Sequence, residues 1–200
     1  MLIVEKLLYF LILFFSVIVH EIAHGFIALK KGDSTARDAG RLTFNPIPHI
    51  DLLGTIILPL FLLLTHSGIM IGWAKPVPIN PYNFNNLRKD MLWVSSAGVL
   101  SNFGLAIILS ILIRFFHISN PFISYGILIN LLLAFFNLIP VPPLDGSKIL
   151  AEILPYEAKE KYLKIEPYGF FILIFLLTIG IINLILMPII TFCFRLLTGM

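Results

Sequence analysis

The sequence is short of charge and of cysteine. Only 12% of its 200 residues are Asp, Glu, Lys or Arg, where a soluble domain carries about a quarter. Hydrophobic residues make up 58%, and the mean hydropathy is +0.97. A chain this poor in charge cannot cover a water-soluble globule, so the composition implies an integral membrane protein. The excess of base over acid is small, +3. The cations gather in loops, as they do on the cytoplasmic side of a membrane, and do not suggest a nucleic-acid partner. The lone cysteine, Cys193, excludes an intramolecular disulfide and a cysteine-ligated metal, and reads as lipid-facing packing. Internal repeats, low-complexity tracts and an appended soluble domain are also missing, so residues 1–200 read as a single membrane-embedded domain.

What is present is an apolar run from Leu2 that ends in His20-Glu21-Ile22-Ala23-His24. A helix puts residues i and i+4 on one face, so both imidazoles can bind one metal ion with Glu21 beside them as a proton acceptor. Ionisable groups at membrane depth are costly unless they are paired or hydrated, which makes them functional candidates. On a helix begun at Ile3, His20 lies about 26 Å along, inside a hydrocarbon core ~30 Å thick but close to its far side. The run is too long for a signal peptide and no small-residue cleavage site follows it, so it reads as a retained transmembrane helix over 2–29.

Lys30, Lys31, Arg37 and Arg41 place the next loop in the cytoplasm. Its His49 and Asp51 are weaker ligand candidates, more in keeping with a loop or gate. Residues 52–71 are apolar but interrupted by Gly54, Pro59 and Gly68, and read as a re-entrant or spanning segment. Prolines at 76, 78 and 81 forbid a helix, so 73–80 is expected to be a short extended edge. Spans follow at 91–116, 122–139 and 168–194, with a mixed-charge amphipathic stretch at 147–167. The fold class is therefore all-α and polytopic, with about four transmembrane helices plus the 52–71 segment. Asn102, inside a span, needs a polar partner from another helix or the site. Prolines at 140, 142 and 143 break the chain before Asp145 and leave that carboxylate at depth. Two histidines need a third ligand, and a carboxylate is a usual one.

Taken in order, these motifs resemble the site-2 protease family of intramembrane zinc metalloproteases, in its short prokaryotic form without a PDZ domain. The resemblance is carried by H-E-x-x-H at 20–24, Asn45-Pro46 with Gly54-Thr55, and Gly72-Trp73-Ala74-Lys75-Pro76-Val77-Pro78. It continues through Ala97-Gly98…Asn102 to Asn137…Pro140…Pro143-Leu144-Asp145-Gly146. Val99 stands where the family's Ala-Gly-Pro has proline. The resemblance implies one Zn2+ per chain on His20, His24 and Asp145, with Glu21 as catalytic base. It gives Asn137, with Asn102, a supporting or substrate-orienting role. It also implies that the 73–80 edge, through Trp73, Lys75, Val77 and Ile79, lines the path of transmembrane protein substrates. The site would lie near the cytoplasmic face of a multi-pass protein in the cell membrane. Two other classes fit the residues alone: a membrane metal-ion transporter and a non-catalytic metal-binding scaffold.

Overall fold

The computed structural model describes residues 3–65, 72–118 and 120–199, and all regular structure among them is helical. Helix α1 spans Ile3–Lys30, and a single turn, α2, spans Thr35–Asp38. π-helical turns over Leu52–Ile57 run into α3, Leu58–Leu64. Then come α4 (Leu87–Arg114), α5 (Pro121–Asn137), α6 (Asp145–Ile153) and α7 (Tyr156–Leu163). The chain closes with α8 (Gly169–Thr178) and α9 (Ile181–Thr198). Helices α1, α4 and α9 are long and apolar enough to cross a membrane.

Helices α4 and α5 are capped by asparagines. Asn86 accepts from Lys89 N at the start of α4, and Asn120 accepts from Phe122 N ahead of Pro121 at the start of α5. Helix α4 is the hub, packing on α1, α5, α6 and α9. The three central helices meet along stripes of four-residue spacing made of small or polar residues. These are Ser16, His20, His24 and Ala28 on α1, Gly98, Asn102, Ala106 and Ser110 on α4, and Gly126, Asn130 and Ala134 on α5. Small side chains let the backbones approach, which is how helices associate where lipid is as apolar as leucine. The outward faces carry exposed Leu7, Leu11, Phe15, Leu100, Ile107 and Ile111. Polar inside and apolar outside is the arrangement a bilayer requires. A separate apolar cluster of Ile113, Ile127, Leu131, Leu173, Ile182, Leu186 and Ile190 joins α4, α5, α8 and α9.

One expectation changes. The single last span over 168–194 is two helices, because Gly180 sits at φ +77° and closes α8, with its N–H donating to Leu177 O. Glycine alone takes that left-handed conformation freely. The 52–71 segment is a short helix over Leu52–Leu64, and residues 66–71 lie outside the described residues. The 73–80 stretch is non-helical but joins no β-ladder.

Candidate active site

The four-residue stripe on α1 aims both imidazoles into the bundle, where His20 and His24 are buried. Asp145 reaches them from α6. The prolines end α5 at Asn137, and α6 restarts eight residues later with Asp145 as its first residue. Its carboxylate lies at a helix N-terminus, where negative charge is favoured. Gly146 makes the turn possible, since a Cβ there would collide with the carbonyls of Leu138 and Ile139. Asp145 Oδ1 faces Lys148 Nζ at 3.3 Å, and Oδ2 faces the histidines.

The Nε2 atoms of His20 and His24 are 3.0 Å apart, and each is 3.0 Å from Asp145 Oδ2. Hydrogen bonds on the far sides of the rings decide what these atoms are. His24 Nδ1 is 2.7 Å from Val94 O, an acceptor only, so Nδ1 carries the proton. His20 Nδ1 is 2.6 Å from Asn102 Oδ1, whose own amide nitrogen donates to Ser16 O and Asn130 Oδ1. In the neutral imidazoles both Nε2 atoms are therefore bare lone pairs. Three electron-pair donors then converge, and Asp145 Oδ2 is buried without a hydrogen-bond partner. Only a cation satisfies such a group. Gly98 leaves the room, because a Cβ on it would fall against both Nε2 atoms. Two imidazoles and one carboxylate are a zinc donor set that leaves a fourth position open. Among the described residues this is the one His/Cys/Asp/Glu group close enough to share an ion.

Glu21, on the adjoining face of α1, accepts from Val77 N at 2.8 Å. A cavity of about 280 Å³ opens beside the histidines, lined by His24, Val77, Ile79, Val94, Ser95 and Asp145 among others. Val77 and Ile79 thus lie at the site. Trp73 and Lys75 instead tie the edge to the preceding loop. Trp73 N donates to Gly54 O, Thr55 Oγ1 donates to Trp73 O, and Lys75 N donates to His49 O. Arg41 donates to the carbonyls of Lys75 and Pro76. Asp33 takes the far end, accepting from Asn80 N and Asn83 Nδ2. Burial pushes the Asp33 carboxyl up, but hydrogen bonds from Thr35, Asn80 and Asn83 outweigh it and hold it below the usual carboxylate range.

His49 and Asp51 are loop residues: His49 Nε2 bonds Thr43 O, and Asp51 caps the π-helical turns. Asn137 donates to Leu133 O on its own helix. The sequence reading missed Ser16 and Asn130, which contact no ligand atom. Their signal was polarity at four-residue intervals from His20 and from Gly126.

Residues 116–180 match the model of peptidase family M50. The provisionally named zinc metalloprotease YwhC of Bacillus subtilis (strain 168) is 37% identical over 182 residues, covering 85% of this chain and 80% of that protein. The chain belongs to peptidase family M50. It is a zinc metalloprotease, as the sequence resemblance implied, and the transporter and scaffold alternatives give way. A second relative, Zinc metalloprotease MJ0392 of Methanocaldococcus jannaschii, is 30% identical over 158 residues, or 78% of this chain but 36% of its own length. The provisionally named zinc metalloprotease Rip2 of Mycolicibacterium smegmatis is 28% identical over 173 residues, 84% of this chain and 65% of its own. No solved structure gives a significant match.

Proposed function

We propose that this M50 protein is an intramembrane protease that hydrolyses peptide bonds in or near transmembrane helices of membrane proteins, close to the cytoplasmic face of the cell membrane. Residues 1–200 act as one membrane-embedded domain, crossing with α1, α4, α5 and α9. Helix α5, with 17 residues, is about 26 Å long, within reach of a span. The observation that carries the reading is the convergence of three possible metal-ligand atoms inside helices whose outer faces suit only lipid.

His20, His24 and Asp145 would hold the zinc. When bound, zinc polarises the scissile carbonyl and brings the pKa of a water toward ~7. Glu21 takes the proton from the attacking water and returns it to the leaving amine. The Val77 N–H fixes the Glu21 carboxylate while leaving its second oxygen for that proton. Val77 and Ile79 line the cavity a substrate must enter, and a substrate helix must unwind first because its carbonyls are held in i→i−4 bonds.

The test is Glu21→Gln in proteoliposomes with a transmembrane test substrate. Zinc content should stay at one per chain while cleavage is lost. Wild-type cleavage by the variant would remove Glu21 from the chemistry. Cleavage of soluble peptides but never of bilayer-embedded ones by the wild type would overturn the intramembrane reading.

A further inference from the structure

We infer that Asn130 is a positioning residue for the metal centre: with Ser16, it fixes through Asn102 which nitrogen of His20 is free to bind zinc. The inference rests on the proposal that His20 is a zinc ligand. All three residues are buried where α1, α4 and α5 cross, Asn102 at 0%, Asn130 at 1% and Ser16 at 2% exposure.

The chain of hydrogen bonds has one possible polarity, and backbone carbonyls dictate it. Ser16 Oγ lies 2.8 Å from Ile12 O, which can only accept, so the hydroxyl proton points there. The Ser16 oxygen then accepts from Asn130. Asn130 Nδ2 is 2.9 Å from Ser16 Oγ and 2.8 Å from Gly126 O, a second pure acceptor, so its nitrogen cannot change places with its oxygen. That leaves Asn130 Oδ1 facing Asn102, whose Nδ2 donates to it at 2.8 Å and to Ser16 O at 3.3 Å. Asn102 Oδ1 therefore faces His20 and accepts the Nδ1 proton at 2.6 Å. Three carbonyls on two helices thus determine the tautomer of an imidazole that touches none of them.

Without Asn130 the Asn102 amide keeps one weak anchor at 3.3 Å and can turn over. It would then offer N–H to Nδ1, move the imidazole proton to Nε2 and block the zinc-facing nitrogen. His24, tied directly to Val94 O, has no such dependence. The partner that orients a metal-bound histidine through its second nitrogen tunes affinity by roughly 10- to 100-fold. Asn130 acts one bond further out, so its loss should sit near the lower figure.

The experiment measures zinc affinity by chelator competition, the absorption spectrum of the cobalt-substituted protein, and thermal stability. The proteins are wild type, Asn130→Leu, Asn130→Asp, Asn102→Leu and the double variant Asn102→Leu/Asn130→Leu. Asn130→Leu should bind zinc about tenfold more weakly and alter the cobalt spectrum. Asn130→Asp, neutral at this depth, keeps an acceptor for Asn102 and one donor, and should recover most of the affinity. The double variant should bind zinc no more weakly than Asn102→Leu alone. A purely structural residue would lower thermal stability and leave zinc affinity and spectrum at wild-type values, and that result overturns the inference. So does additivity in the double variant. Should Asn130→Leu fail to fold, unchanged zinc affinity in Ser16→Ala and a Co2+ spectrum in Asn130→Asp identical to that of Asn130→Ser would overturn it equally. If the wild type itself retains no zinc, the proposed ligand set fails instead.

Discussion

Gly98 holds open the space on which His20 and His24 converge, and nothing about its backbone requires glycine: it lies mid-helix on α4, where alanine is the better former. The requirement is steric. Gly98→Ala adds a methyl against both Nε2 atoms, so zinc affinity should fall by at least ~100-fold, the upper end of what loss of ligand positioning costs. Elemental analysis and circular dichroism read this together, with helix content expected unchanged. Full zinc loading of the variant would mean that the group relaxes around the methyl. At this scale the His20–His24 pair was legible because four-residue spacing has one meaning on a helix. Asn102 was legible because an amide inside a span needs a partner. Ser16 and Asn130 left only their four-residue spacing as a signal, since which polar side chains meet depends on how α1, α4 and α5 rotate against one another.

The non-helical stretch from Trp73 to Asn80 is an element without a ladder, held by groups from elsewhere in the chain: the Gly54 and His49 carbonyls, the Thr55 hydroxyl, the Glu21 carboxylate, Arg41 and Asp33. Prolines at 76 and 78 made its extended form legible, but its anchors were invisible because each is distant in sequence. Val77 lies between those prolines, so Val77→Pro suits the local backbone and deletes one N–H. A hydrogen bond to a charged group is worth about 1.5–3 kcal/mol. Cleavage should therefore drop roughly ten- to a hundredfold while zinc stays bound. Rates and zinc content measured on the same preparation check this, and faster cleavage would mean the bond restrains Glu21 instead of aiming it. The α5–α6 turn was equally readable from its prolines. The break at Gly180 was not, because a lone glycine in an apolar run is also compatible with an unbroken span.

For the whole molecule, the apolar exterior of α1, α4 and α9 and the cations at Lys30, Lys75 and Lys161 predict an orientation. Single cysteines at those three positions, in a Cys193→Ser background, should react only with reagent admitted to the cytoplasmic side. External labelling at position 75 alone would mean that the chain crosses the bilayer between residues 52 and 71. The extended stretch also has a direction in the electrical sense. The N–H groups of Trp73, Lys75 and Val77 are bonded within the protein, and Pro76 and Pro78 have none, so Ala74 holds the one remaining N–H between Trp73 and Pro78. Its carbonyls are partly taken as well, Trp73 O by Thr55 Oγ1 and those of Lys75 and Pro76 by Arg41, so the acceptors left are mainly at Ala74 and Val77. A substrate peptide lying along the stretch, as proposed, would be held at those two carbonyls by its amide hydrogens, and methylating those amides should release it where altering its side chains would not.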